Sequence, residues 1–255
     1  MAVEEPVKVP GYDSRAAGYE AHRRVNPAVL KALLDSGIMT PASQVLDVGC
    51  GTGNYAAALH RETGCRMSGV EPSSEMLARA RNAARWDDLV QASAESLPFP
   101  DRSFDVVMST DVIHHVGDRE RYFREAARVL RDGGWLVTVT DSHEVIPLRQ
   151  PLSNFFPETV PIELRRYPPV PTLLAEMSGA GFTELQVDEV QHPYELTDIA
   201  PYRDKAFSSL LLIDNEAFRR GIAKLESALS SGPITCISRY TLIWAAKPHD
   251  TATAD

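Results

Sequence analysis

A glycine-rich segment is the first place in this chain where residue types and spacing indicate a binding site. Residues 45–53 read VLDVGCGTG, in which an apolar run containing Asp47 leads into alternating glycines. Glycine permits a sharp turn and lets the backbone approach a ligand without interference from a Cβ atom. Glu71 follows the glycines by about 20 residues, a spacing at which a carboxylate can accept hydrogen bonds from ribose hydroxyls. The pattern predicts a site for a cofactor that contains a nucleoside.

Two cofactor classes compete for this segment. A dinucleotide site typically has the spacing G-x-G-x-x-G and directs a helix N-terminus at a pyrophosphate. This chain has G-x-G-x-G instead, and Asp47 lies within the segment. A carboxylate there would repel pyrophosphate but would attract the α-ammonium group of a methionine moiety. The charge chemistry therefore favours S-adenosylmethionine over NAD, although Glu71 fits both classes.

Apolar runs and helical segments alternate on both sides of the glycines. The apolar runs cover residues 44–48, 66–70, 88–91, 104–109 and 135–140. Strands separated by helices imply a parallel sheet with right-handed crossovers, whose ligands bind at the carboxyl ends of the strands. We expect two more strands at 182–190 and 234–246, and an aromatic, proline-rich excursion over the sheet at 143–171.

Four stretches of the chain carry a family resemblance: VLDVGCGTG (45–53), GVEPSSEML (69–77), ASAESLPFPDRSFDVVMSTDVIHHV (92–116) and RVLRDGGWL (128–136). In this order they resemble the class I S-adenosylmethionine-dependent methyltransferases, in particular the ubiquinone/menaquinone-type (methyltransferase type 11) group. The resemblance implies an α/β fold, a Rossmann-like three-layer sandwich with a seven-stranded, mostly parallel sheet and an antiparallel last strand. N-terminal lid helices and an inserted cap would complete it.

We expect a single domain over residues 1–255. Its parts would be N-terminal lid helices at 1–36, a cofactor-binding core at 44–141, an acceptor-pocket cap with helices at 142–233 and a final strand at 234–247.

The resemblance also implies which residues surround the cofactor. Ser93 departs from many relatives, which carry an aspartate that accepts from the adenine amino group, so adenine recognition would shift to Glu95 or to backbone groups. Tyr19 would reach the cofactor from a lid helix. The full expected set is Asp47, Gly49, Cys50, Gly51, Gly53, Glu71, Pro72, Met76, Ser93, Ala94, Glu95, Thr110, His115 and Tyr19.

Candidates for acceptor chemistry follow the fourth and fifth strands. Methyl transfer from a sulfonium is an in-line displacement, so alignment of the reactants supplies much of the rate. A general base is needed only where the acceptor loses a proton, and histidine suits that role near neutral pH. The candidates are His115, His114 and Asp141, each of which also has a purely structural interpretation.

Composition narrows the choice of acceptor. The net charge of −9 disfavours nucleic acid as the methyl acceptor, because proteins that bind nucleic acid usually present a basic surface to the phosphates. We expect a small-molecule acceptor, natural-product-like or quinone-like, methylated at O, N or C. The alternatives are a tRNA wobble nucleoside and a non-catalytic S-adenosylmethionine-binding module, while a nicotinamide oxidoreductase is disfavoured.

The chain shows no membrane span, no secretion signal and no metal-ligand spacing. A cytoplasmic monomer or homodimer without a metal is therefore expected.

Overall fold

The computed structural model describes residues 24–249. Its strands are β1 (Gln44–Val48), β2 (Arg66–Val70), β3 (Asp88–Val90), β4 (Phe104–Thr110), β5 (Leu130–Thr140), β6 (Thr183–Leu196) and β7 (Ile234–Ala246). Its α-helices are α1 (Pro27–Asp35), α2 (Asn54–Thr63), α3 (Ser74–Ala83), α4 (Arg119–Val129), α5 (Leu152–Phe155), α6 (Thr159–Arg166), α7 (Val170–Gly179), α8 (Ala200–Arg203) and α9 (Asn215–Leu229). Short 3-10 turns cover Ile113–His115, Ile146–Leu148 and Ser208–Leu211.

All of these strands form one sheet in the order β3-β2-β1-β4-β5-β7-β6. The first five strands are parallel, and β7 runs antiparallel to both of its neighbours, β5 and β6. The predicted Rossmann-like α/β fold with an antiparallel last strand is therefore confirmed.

The central strands β1, β2, β4 and β5 are largely buried on both faces, as the uninterrupted apolar runs predict. One face packs against α4 and α7, and the other packs against α1 and α2. Helix α4 shows how the sequence sets this up: the Asp118 side chain caps the helix by accepting from the backbone N–H of Arg121. Tyr122, Phe123 and Ala126 then fall on the buried side of that helix.

Strands β6 and β7 continue beyond the sheet. Strand β7 pairs with β5 only from Thr241 onward, whereas it pairs with β6 from Ile234. Residues 190–196 and 234–240 thus form a two-stranded ribbon, here named the β6–β7 arm, that extends past the carboxyl ends of the parallel strands. A third apolar cluster joins this arm to α5, α8 and α9.

Two expectations change in detail. Strand β6 runs to Leu196 rather than ending at residue 190, because its pairing with β7 continues through the arm. The excursion at 143–171 is built from α5, α6 and the start of α7.

Candidate active site

The glycine-rich turn connects β1 to α2 and lies beside the end of β2. Gly49, Gly51 and Gly53 all have positive φ, at 70°, 55° and 82°. A Cβ atom at Gly49 would stand 2.5 Å from a methyl group of Val112, so both the turn and its packing require glycine.

Glu71 holds that turn to the end of β2. Its Oε2 accepts from the backbone N–H of Gly51 at 3.0 Å, and its Oε1 accepts from that of Ser73 at 2.9 Å. Its carboxylate is buried. The structure thus brings together the two features that first indicated a cofactor, the glycines and the acidic residue that follows them.

Asp47 lies at the same edge of the sheet and is almost fully buried. Burial, with a further contribution from the negative charge of Glu71, raises its pKa to about 7. Burial and these same two carboxylates raise the pKa of the Cys50 thiol far above its usual range. Cys50 is therefore not poised as a nucleophile, whereas Asp47 is poised to ionise when a cation approaches.

The remaining expected cofactor residues lie on three neighbouring segments. Met76 is buried in α3, and Pro72 is exposed before that helix. Ser93, Ala94 and Glu95 occupy the loop after β3, where Glu95 accepts from the backbone N–H of Gly117 at 3.0 Å. That bond ties one oxygen of the Glu95 carboxylate to the neighbouring turn.

Thr110 ends β4, and its buried hydroxyl has no hydrogen-bond partner among residues 24–249. Tyr19 lies outside the described residues. Trp86, which the sequence analysis missed, packs its ring 2.9 Å from the position of a Cβ atom on Gly53.

A cavity of about 140 Å³ lies between the carboxyl edge of the sheet and the cap. His114, His115 and Asp141 all line it, so the predicted catalytic residues converge on one space. The His114 ring stacks on Tyr167 with centroids 4.0 Å apart, and His115 is exposed. Burial, followed by the charges of nearby carboxylates, raises the pKa of Tyr167 well above its usual range, so its phenol stays protonated.

A buried ionic network forms the floor of this cavity. The Arg149 Nη1 donates to Asp141 at 3.0 Å, and its Nη2 donates to Glu163 at 2.9 Å. Arg166 pairs with the other oxygen of Glu163 and donates to Ser208 Oγ at 3.2 Å. Asp141 is therefore already engaged by a guanidinium, which favours a structural part for it over proton transfer.

Asp141 is predictable from the sequence as the residue that follows β5, whereas its partners Arg149 and Glu163 are not. No strand end or motif marks those two residues, because they come from the loop before α5 and from α6. The one sequence feature that could have indicated them is the presence of charged residues in the aromatic, proline-rich segment at 143–171.

The sheet order, the glycine turn and the two buried carboxylates define a class of protein: an α/β enzyme with a site for S-adenosylmethionine. A family model described as "Methyltransferase domain" matches residues 46–138. These residues span the glycine turn through most of β5.

Similar proteins agree. The malonyl-[acyl-carrier protein] O-methyltransferase of Serratia marcescens is 30% identical over 197 residues, which cover 68% of this chain and 77% of that protein. The demethylmenaquinone methyltransferase of Tropheryma whipplei (strain Twist) is 37% identical over 107 residues, 41% of this chain and 44% of that protein. A crystal structure of a putative methyltransferase from an antibiotic biosynthesis pathway of Anabaena variabilis superposes with a TM-score of 0.63 at 25% identity, covering 86% of this chain and 97% of that one.

The chain belongs to the class I S-adenosylmethionine-dependent methyltransferases, in the ubiquinone/menaquinone-type group, and S-adenosylmethionine is its cofactor. Within residues 24–249, no helix combines the length and the apolar character needed to cross a membrane.

Proposed function

We propose that this enzyme methylates a small molecule bound in the cavity between the sheet edge and the cap. The observation that carries the proposal is the convergence of His114, His115 and Asp141 on one cavity of about 140 Å³. A space of this size admits one small ring or chain end rather than a folded macromolecule. The names of the two similar enzymes from S. marcescens and T. whipplei refer to a malonyl group on an acyl-carrier protein and to demethylmenaquinone, which supports a small chemical group, free or carried, as the acceptor.

The glycine turn and the two carboxylates beside it would bind different parts of the cofactor. Asp47 would face the α-ammonium group, Glu71 would accept from the ribose hydroxyls, and the turn between them would let the backbone approach. When bound, S-adenosylmethionine supplies a methyl group activated by its sulfonium, and S-adenosylhomocysteine is the product.

In the acceptor cavity, the side chains would mainly position the acceptor and shield it from water. The Tyr167 phenol can donate a hydrogen bond to an acceptor oxygen, and His114 stacks against its ring. His115 is our candidate for removing a proton where the acceptor has one to lose. Asp141 holds Arg149 in place.

Cofactor binding is tested by calorimetric titration with S-adenosylmethionine, with NAD as a control ligand. Replacing Glu71 by glutamine should weaken binding by about 1.5–3 kcal/mol, the scale of a hydrogen bond to a charged group. Glu62→Gln, at an exposed position in α2, is the matched control and should leave the affinity unchanged. Equal affinity of both variants would show that Glu71 does not hold the ribose.

Acceptor class is tested by measuring S-adenosylhomocysteine formation with panels of phenols, quinols, amines and carboxylic acids, and separately with unmodified tRNA. We expect turnover with at least one small-molecule panel. Turnover with tRNA alone would favour the wobble-nucleoside alternative. Cofactor binding without turnover on any panel would favour a binding module.

A further inference from the structure

The floor of the acceptor cavity is built from charged side chains. Asp141, Arg149 and Glu163 line it with side chains 7%, 15% and 2% exposed, and Arg166 behind them is 2% exposed. Taking such groups out of water is costly, and apolar residues of similar volume often give a more stable core. Stability alone therefore does not explain this network, and its position in the cavity indicates a role in binding.

The network offers more donors than the chain satisfies. A guanidinium carries five N–H groups, and Arg149 makes side-chain hydrogen bonds only to Asp141 and Glu163 in the described part of the chain. Its Nε is buried there without a hydrogen-bond partner. A buried N–H without an acceptor destabilises the protein, so an oxygen atom on a ligand would be favoured at this floor.

The charges around the cavity balance. They are Asp111, Asp141, Glu163, Arg149 and Arg239 in its wall and Arg166 directly behind Glu163. Counted with neutral histidines, carboxylates and guanidiniums cancel. A ligand that brought its own charge would leave that charge buried and uncompensated, which is unfavourable.

The size and walls of the cavity limit the shape of the ligand. A cavity of about 150 Å³ in another protein holds a benzene molecule, and this one measures about 140 Å³. Tyr167, Tyr194 and Phe207 present aromatic rings to it, and aromatic faces pack well against a flat ring.

We propose that Arg149 binds an uncharged oxygen atom on a single planar ring of the methyl acceptor. This inference rests on the proposed function, since it assigns the acceptor to this cavity. It names a hydroxyl or carbonyl group as the recognised feature and excludes an acceptor that presents a carboxylate or an ammonium group to Arg149.

The test uses three probes with the same ring and different charge: phenol, benzoate and benzylammonium. Each is titrated by ligand-observed NMR into the full chain saturated with S-adenosylhomocysteine. Phenol should bind in the millimolar range, and the two charged probes should bind about tenfold more weakly or not at all. A preference for either charged probe, or binding of none of the three, overturns the proposal.

Variants then locate the interaction. Arg149→Met should weaken phenol binding about tenfold or more, the scale of a hydrogen bond to a charged group, while affinity for S-adenosylhomocysteine stays unchanged. Arg131→Met, which removes a partly exposed pair with Asp105 at the opposite edge of the sheet, is the matched control. Undiminished phenol binding in Arg149→Met would overturn the assignment of Arg149.

Two measurements keep the proposal separate from the proposed function and from folding. If the wild-type chain does not bind S-adenosylhomocysteine, the proposed function itself is wrong. If Arg149→Met fails to fold, the three-probe comparison on the wild-type chain still decides the charge of the ligand, and Arg149→Lys tests the need for the guanidinium fork.

Discussion

Asp47 places a carboxyl group inside the sheet, because β1 is buried on both faces and Asp47 continues its run of buried residues. Burial, and then the charge of Glu71, raises its pKa to about 7. A cation that approaches this carboxyl favours its ionised form. Near neutral pH, a bound ammonium group would therefore be enough to shift the Asp47 carboxyl from its protonated to its ionised form.

Cofactor affinity should therefore depend on pH through Asp47. Below about pH 7 the carboxyl is protonated in the free enzyme and must lose that proton to pair with the ammonium group. Affinity should rise about tenfold per pH unit below that value and level off above it. Calorimetric titration across this range measures the slope.

The control for this prediction is Asp47→Asn, which has no proton to lose. Its affinity should be lower than that of the wild type at high pH and nearly independent of pH. The same slope in the variant as in the wild type would assign the pH dependence to another group.

Single residues differ in how far the sequence could reveal them. Asp47 and Glu71 could be predicted because each lies at a fixed point relative to a glycine turn or a strand end. Arg149 and Glu163 could not be, because charged residues are mostly exposed and nothing in a sequence marks which of them pair inside a core.

At the scale of elements, the cap depends on close contact between α9 and α5. A Cβ atom added to Gly221 in α9 would lie 2.2 Å from the ring of Phe156 and 2.8 Å from the carbonyl oxygen of Phe155. Glycine weakens a helix by about 1 kcal/mol relative to alanine. Here it lets the helix backbone pack directly on an aromatic ring.

We expect Gly221→Ala to destabilise the protein despite the better helix propensity of alanine. Overpacking typically costs about 1–3 kcal/mol, which should outweigh the gain in propensity. Gly179, in the last turn of α7, has open space around its Cβ position. Gly179→Ala should therefore be neutral or stabilising by up to about 1 kcal/mol.

Urea denaturation of the two variants measures the difference. If both substitutions stabilise the protein, Phe156 can move aside and the tight contact is not required. If both destabilise it equally, the effect belongs to glycine replacement in general.

Elements also differ in predictability. Strands β1, β4 and β5 are visible as apolar runs because both of their faces are covered. Strand β6 has mostly exposed residues, so no apolar run marks it. Its second half alternates, with Val190, Tyr194 and Leu196 on the less exposed face, but Pro193 argues against a strand there. Only its pairing with β7, a long-range contact, extends it to Leu196.

At the scale of the whole molecule, the buried carboxyl of Asp47 in the cofactor site lowers the free energy of unfolding when it is ionised. In the unfolded chain the pKa of an aspartate is about 3.8, whereas Asp47 in the folded chain has a pKa of about 7. The folded chain therefore holds this proton more tightly, and stability falls as pH rises between these two values.

Asp47→Asn should stabilise the cofactor-free protein at pH values above about 7, on the order of 2–4 kcal/mol. Below about pH 4 the two proteins should be equally stable in this respect, because the wild-type carboxyl is then neutral in both states. Thermal unfolding of both proteins across this range measures the difference. A difference that is constant with pH would contradict the linkage to Asp47.

The methyltransferase family model covers only one part of the molecule. That model matches residues 46–138, which include the glycine turn, Glu71, His114 and His115. Arg149, Glu163 and the β6–β7 arm lie outside this range. Sequence resemblance could therefore predict the cofactor, while the chemistry of the acceptor depends on how the cap folds.

The β6–β7 arm carries a kinetic consequence. Because β7 is one unbroken strand from the sheet to the cap, the wall that it forms moves only if the sheet moves with it. We therefore expect the more mobile walls of the cavity to be its shorter segments, the 3-10 turn at 113–115 and the loop that carries Arg149. Exchange of the acceptor would then depend on motion of those short segments more than on motion of the arm.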